Sequence, residues 1–343
     1  MTTIPKSPEF EALNELSARV GANPAWVQGA GGNTSIKEQG TLWIKASGLW
    51  LENAQRQEMM VPVALDLLLD ALERADPLAE QAQHFVREEF NPSGLRPSIE
   101  TTVHAVIPQK VVVHVHCVET IALAVAAEAE SLLSTRLAGF RHAFIPYVRP
   151  GLLLARAIAA RLGEGTDVLV LGNHGLVVAA DTVAAAEQLL EQVTAALAIA
   201  PRIAPPADLA GLERLAQDSI YQLPEDPVVH ALGTDPASCR VAAAGSLYPD
   251  HVIFLGNAIT IARPGETARD LEQSSSILLV FPGAGVLVAR NASAGALAMV
   301  RCLADVASRI PATTALRVLT ESEQAELLGW DAEKYRKSLN PGT

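Results

Sequence analysis

Two histidines one residue apart, His114 and His116, lie in Val111-Val-Val-His-Val-His-Cys117, and a third, His174, lies in Asn173-His174-Gly175. On an extended strand successive side chains alternate faces, so His114 and His116 point one way while Val113, Val115 and Cys117 point the other. Two imidazoles on one face of a very apolar strand are costly to bury unless a shared ion compensates them. A third imidazole from a tight turn beside that strand makes a three-histidine set with a position left for water or substrate, which is how catalytic rather than structural zinc is held. The plain alternative is three core histidines with hydrogen-bonded partners.

Glu100 is the candidate acid/base, because its helix runs straight into the histidine strand; the helix dipole alone would also favour an acid in that first turn. His104 shares the helix face at i+4 and reads as a packing or supporting residue. Gly31-Gly32-Asn33-Thr34-Ser35, Ser47-Gly48 and Ser98 supply backbone N–H groups and small hydroxyls, the ingredients of a phosphate or carboxylate cradle, although each alone could be a turn. Two other metal architectures fit less well. His114-x-His116-x2-Glu119 is short for a cupin and runs into a helix, and a hydrolase of the metallo-β-lactamase type would need Asp-His where Cys117-Val118-Glu119-Thr120 stands.

The elements that must position these residues follow from pattern. Residues 8–20 predict an amphipathic helix, Gly29 to Ser35 a loop, and Ser35–Lys37 and Leu42–Lys45 short strands. Helices are expected over Pro62–Arg74 and Pro77–Phe90, and after Ser98 as N-cap up to Pro108. Val111–Cys117 predicts a strand and Glu119–Glu130 a helix. Asp167–Gly172 and Leu176–Ala180 predict strands, and Thr182–Ile199 an Ala-rich helix. Such mixing indicates a layered α/β domain.

Pro201, Pro205, Pro206, Pro224 and Pro227 mark a boundary in 200–226, and a smaller α/β unit is expected beyond it. Its strands would be Arg240–Ala244, His251–Leu255, Ile259–Ala262, Ser276–Phe281 and Val286–Ala289, followed by helices at 293–310 and 321–328. Leu169 to Asp181 matches Leu279 to Asn291 at a constant offset, placing Ala284 where His174 stands. A second overlay puts Leu255 and Asn257 where His114 and His116 stand. The C-terminal unit therefore reads as a degenerate copy without metal ligands; convergent strand-turn-strand patterning would produce the same signal.

The 343 residues carry 49% hydrophobic content and a net charge of −12, enough for a sizeable core and unfavourable for nucleic acid. Cys117, Cys239 and Cys302 are odd in number and widely spaced, which suits reduced thiols. The N-terminus does not read as a secretory signal and no apolar run is long enough for a bilayer. A cytoplasmic location without membrane partners is the expectation.

Gly32-Asn33-Thr34-Ser35, Ala46-Ser47-Gly48, Pro97-Ser98-Ile99-Glu100, His114-Val115-His116 and Asn173-His174-Gly175, in that order, resemble the class II aldolase/adducin superfamily. GAGGNTSIK, LWIKASG, RPSIETTVHA and YVRPG look most like the lyase portion of bifunctional rhamnulose-1-phosphate aldolase/alcohol dehydrogenases, over about 8–340. The resemblance implies a three-layer α/β/α sandwich; with the boundary read from the prolines, the expected domains are a catalytic domain over 1–200, a Pro-rich linker over 201–226 and the smaller unit over 227–343. It implies a divalent ion, zinc first and manganese as the alternative, on His114, His116 and His174, with Glu100 moving the proton. It also implies a substrate or phosphate site drawn from Gly32, Asn33, Ser35, Ser47, Gly48 and Ser98. Ile99 stands where sugar-phosphate members often carry a second serine, which weakens the case for a phosphorylated substrate.

The chemistry so implied is retro-aldol cleavage of a small ketose or ketose phosphate through a metal-stabilised enediolate, with burial moving the Glu100 pKa up towards neutrality. An epimerase or decarboxylase on the same scaffold is the first rival, and a non-catalytic adducin-like interaction module the second. A homo-oligomer acting on a small carbonyl or sugar substrate is implied as well.

Overall fold

The computed structural model describes residues 7–339. The first six residues, where the segment read for a secretory signal begins, and 340–343 lie outside the described residues. By contacts the chain forms two compact units, Met1–Thr120 with Glu130–Leu197, and Ile121–Ala129 with Ala198–Thr343.

The first unit opens on α1 (Pro8–Gly21). Ser7 caps it by accepting from the Phe10 amide, and Phe10, Leu13, Leu16 and Val20 line its buried stripe. Seven strands follow: β1 (Asn33–Glu38), β2 (Thr41–Lys45), β3 (Met60–Ala64), β4 (Val111–Val115), β5 (His142–Ile145), β6 (Val168–Leu171) and β7 (Gly175–Ala180). They form one sheet in the order β3-β2-β1-β4-β7-β6-β5, antiparallel except for β5 with β6.

The helices between them are α2 (Leu65–Glu73), α3 (Thr101–Val106), α4 (Val118–Ala124), α5 (Ala129–Arg136), α6 (Leu152–Ala159) and α7 (Val183–Leu197). On one face α1 rests on the sheet through a Ser17–Thr34 hydrogen bond and an edge contact of Phe10 with Trp43, and the carboxylate of its Glu9 accepts from the Val183 amide at the start of α7. On the other face α2, α3 and α6 bury Leu68, Val103, Ile107 and Ile158 against Ile44, Val63, Val112 and Val177. This is the expected three-layer α/β/α sandwich. Because β4 has a sheet neighbour on each edge and a helical layer on each face, all five of its residues are buried.

Several local expectations change. Met60–Ala64 is a strand, because its alternate residues pack beside β2, and only Leu65–Glu73 is helical. The stretch 77–90 holds three 3-10 turns, since Asp76 and Pro77 start a turn that no continuous apolar face extends. Ser98 is not an N-cap: its hydroxyl accepts from the Glu100 amide within a turn, and Glu100 occupies the cap position of α3.

In the second unit the helices are α8 (Leu209–Leu215), α9 (Ala231–Thr234), α10 (Pro236–Ala243), α11 (Pro249–Leu255), α12 (Ala294–Arg309), α13 (Glu321–Gly329) and α14 (Asp331–Ser338). Its strands β8 (Tyr221–Gln222), β9 (Thr260–Ile261), β10 (Leu278–Phe281) and β11 (Gly285–Ala289) run in the order β8-β11-β10-β9. Arg240–Ala244 and His251–Leu255, expected as strands, belong to helices: Asp235 and Pro236 start one and Pro249 starts the other. The overlay of Leu255 and Asn257 on His114 and His116 therefore fails. The Pro-rich stretch is also more than a linker, because it carries α8 and β8. Sheet order does repeat: β8-β11-β10-β9 has the same sequence of antiparallel, antiparallel and parallel pairings as β4-β7-β6-β5.

Candidate metal centre

Strand β4 presents His114 between Asn33 on β1 and Val177 on β7, and His116 follows two residues later on the same face. His174 comes from the turn joining β6 to β7, where Asn173 takes the left-handed conformation (φ 52°) and the His174 amide donates to Leu171 O. Gly175 closes the turn because a Cβ there would lie 2.4 Å from the Val115 carbonyl oxygen. The pairing of β7 with β4 then brings His174 to the end of the histidine strand.

The three rings meet edge to face, with centroids 4.9, 4.9 and 5.2 Å apart, and their ligand nitrogens lie within 4.8 Å of one another. They are 1%, 6% and 5% exposed. Among the described residues this is the one cluster of its kind. The Nδ1–H of His114 donates to Leu176 O at 3.0 Å, which leaves Nε2 with its lone pair turned inward, 3.2 Å from Nε2 of His116. Two ring nitrogens so close in a buried place need a proton or a cation between them. Three imidazole nitrogens around one such point suit zinc or a similar divalent ion.

Glu100 faces this cluster and is 4% exposed. Its Oε2 lies 3.4 Å from His114 Nε2 and its Oε1 3.6 Å from His174 Nε2. Burial alone raises its pKa, but positive charge on His114 and His174 and the hydrogen bond from Asn33 outweigh burial and bring it down to about 2. The expected rise towards neutrality is thus reversed, because cationic neighbours dominate desolvation. A metal cation on the same nitrogens acts with the same sign.

Behind the carboxylate runs a chain of buried bonds. Asn33 Nδ2 donates to Glu100 Oε2 at 2.8 Å, His104 Nε2 contacts Asn33 Oδ1, and Ser35 Oγ lies 2.7 Å from His104 Nδ1. Burial pushes His104 down to about 3, partly offset by Glu100, so its ring is neutral. Ser35, expected to touch a ligand, is fully buried and bonded within the protein.

The remaining cradle residues converge from three segments. Gly32 adopts φ 61°, and a Cβ there would come within 2.9 Å of the His114 carbonyl. An Ala46–Pro97 bridge joins the Ser47-Gly48 segment to Ser98, with Gly48 at φ 78° and the Ser47 hydroxyl buried without a hydrogen-bond partner. Sequence reasoning missed two neighbours. Lys45 is buried, and its ammonium donates to the carbonyls of Ala30 and Gly32 at 2.8 and 2.9 Å. Gln28 donates to Pro24 O and His116 O, and its own carbonyl oxygen is buried without a partner. A lysine ending the otherwise apolar Leu42-Trp-Ile44 run was the available signal for the first. The three cysteines are free, with Cys117 and Cys302 buried. Among the described residues no helix is long and apolar enough to cross a membrane.

Residues 12–200 match the family described as Class II Aldolase and Adducin N-terminal domain. The chain is 28% identical over 194 residues to the uncharacterized oxidoreductase YuxG of Bacillus subtilis (strain 168), a match over 52% of this chain and 27% of that protein. It thus spans about a quarter of the length of that curated relative. Among solved structures it is similar to the N-terminal class II aldolase domain of a conserved protein from Thermoplasma acidophilum, at 26% identity and a TM-score of 0.49, covering 57% of this chain and 95% of the other. It is also similar to an aldolase II superfamily protein from Pseudomonas syringae, at 23% identity and a TM-score of 0.42, covering 56% and 75%.

Proposed function

The chain belongs to the class II aldolase and adducin family, and on that premise we propose that it is a metal-dependent aldolase, a carbon–carbon lyase acting on a small ketose or ketose phosphate. His114, His116 and His174 would hold the ion, zinc first and manganese as the alternative. When bound, it supplies Lewis acidity that draws charge from the carbonyl oxygen and lowers the energy of the enediolate.

The observation that carries this reading is the single carboxylate beside the three nitrogens. Glu100 Oε2 is engaged by Asn33, while Oε1 is buried and has no hydrogen-bond partner. A group whose pKa is held near 2 is ionised at neutral pH, so it starts as a base. In condensation Oε1 removes the proton from the carbon next to the carbonyl and that proton ends on the hydroxyl formed from the aldehyde oxygen; in cleavage Oε1 takes up the proton leaving that hydroxyl as the carbon–carbon bond breaks and delivers it to the carbon next to the carbonyl. Gly32, Ser47, Gly48 and Ser98 would hold the far end of the substrate, with the partnerless Ser47 hydroxyl as one donor. The second N–H of Asn33 Nδ2 also remains for it. The catalytic assignment falls within 1–200, and the second unit, with 227–343 extended to take in β8, would be a degenerate copy without ligands.

The test isolates proton transfer. The purified holoprotein should exchange a hydroxymethyl proton of dihydroxyacetone phosphate, or of dihydroxyacetone, for deuterium without any aldehyde present. Glu100→Gln should keep its metal and lose about 10²–10⁴-fold in exchange rate. A Glu100→Gln protein that exchanges at the parental rate excludes the role. A protein that takes up no zinc or manganese when offered them favours a non-catalytic module.

A further inference from the structure

The bonds behind Glu100 permit one assignment of donors, and that assignment gives Ser35 and His104 a task. A carboxylate only accepts, so the atom of Asn33 facing Glu100 Oε2 must be its amide nitrogen. The amide oxygen of Asn33 then faces His104 and must accept, which puts the ring proton on Nε2. In a neutral ring the other nitrogen accepts, so the Ser35 hydroxyl donates to Nδ1. Each link fixes the next, and Ser35, Asn33, Glu100 and His104 are all buried.

Strand geometry makes the arrangement rigid. Asn33 and Ser35 alternate onto the same face of β1, two residues apart, and each reaches the one His104 ring, anchored on α3. The Glu100 carboxylate sets the sense of the chain and the Ser35 hydroxyl holds its far end: without that donor Nδ1 loses its bond, and the ring loses the contact that seats it against Asn33.

We propose that Ser35 and His104 are positioning residues that, through Asn33, tie down Oε2 of Glu100 and leave Oε1 as the working oxygen. The inference rests on the reading of Glu100 as the proton-transfer group. Neither residue touches substrate in this account. Their effect belongs in the turnover step and not in binding or metal content.

The experiment pairs Ser35→Ala with Ser35→Thr, which restores a hydroxyl, both as zinc-loaded full-length protein. Nitrogen NMR of the 15N-histidine-labelled protein should show the His104 proton on Nε2 in the parent, and that proton exchanging faster with water in Ser35→Ala than in the parent or in Ser35→Thr. The saturated deuterium-exchange rate with dihydroxyacetone phosphate should fall about 10–100-fold in Ser35→Ala, with KM and zinc content unchanged and with recovery in Ser35→Thr. A parent protein carrying the proton on Nδ1 overturns the proposal, as does Ser35→Ala with undiminished saturated rate or with a loss confined to KM or zinc content. An active Glu100→Gln protein sinks the prior reading of Glu100 separately, and the ring tautomer still judges the chain.

Discussion

In the hairpin between β6 and β7, Leu171 pairs with Gly175, Asn173 holds φ 52°, and the His174 amide donates to Leu171 O; in that between β10 and β11, Phe281 pairs with Gly285, Gly283 holds φ 81°, and the Ala284 amide donates to Phe281 O. Both are flanked by a parallel pairing on one side and an antiparallel one on the other, and both lead into a long helix, α7 or α12. The backbone is therefore built equally well with alanine at the tip. A left-handed residue and a closing glycine make the turn, and the imidazole of His174 is not needed for it. What the first hairpin adds is a buried nitrogen aimed at two others, which the turn does not require and the proposed ligand role would explain.

The comparison is broken most sharply by exchanging the tips. His174→Ala should abolish stoichiometric zinc binding, measured by metal analysis after gel filtration, and with it deuterium exchange, while circular dichroism stays parental. Ala284→His should bind no second ion, because β8, which stands beside β11 as β4 stands beside β7, is Tyr221–Gln222 and carries no histidine. Retained zinc in His174→Ala, or a second ion in Ala284→His, would remove the distinction between the two regions.

Next in size is the closing glycine. Gly175→Ala drives a Cβ to 2.4 Å from a backbone carbonyl and should cost about 1–3 kcal/mol, read by urea unfolding. At Gly285 the nearest obstacle is the His230 ring nitrogen at 2.7 Å, so Gly285→Ala adds a clash to a φ of 136° that only glycine readily adopts. Equal tolerance of alanine at the two sites would mean that neither turn depends on the close approach described.

The last contrast concerns acid. Each region holds a fully buried histidine pushed down chiefly by burial, His104 to about 3 and His251 to about 4. Their folded values lie below that of a histidine in the unfolded chain, so on acidification the unfolded chain takes protons first and stability is lost. The loss should run at about 1.4 kcal/mol per pH unit for each, from near pH 6.5 down to about 4 for His251 and to about 3 for His104. Denaturant titrations between pH 7 and 5 check the slope, and His251→Gln should remove about half of it.

Much of the centre was legible in the sequence because strand alternation fixes faces: His114 and His116 could be paired from spacing alone, and a histidine in an Asn-His-Gly turn announces its exposure to a neighbouring strand. The Ser35 bond was not legible, since nothing local says that residue 104 sits over β1. The Glu100 shift was misjudged for the same reason: its sign depends on how many imidazoles stand nearby. In the second unit, helix start signals at Pro236 and Pro249 were weaker to the eye than the β-branched residues after them, and the packing of α11 and α10 against α12 decided for helix.

The register that seats Asn33 beside His114 and His114 beside Val177 draws the centre from three strands far apart in the chain; His114 and Leu176, which fix one ring, are 62 residues apart. No local fragment can pre-form such a site, so the loops between β1, β4 and β7 must close before an ion finds its donors. Ion uptake should therefore lag behind helix formation during refolding, and the free energy of binding would add to that of the closed sheet. The ion would then act as a latch on the molecule's least local contacts, and a chelator would expose how stable those contacts are without it.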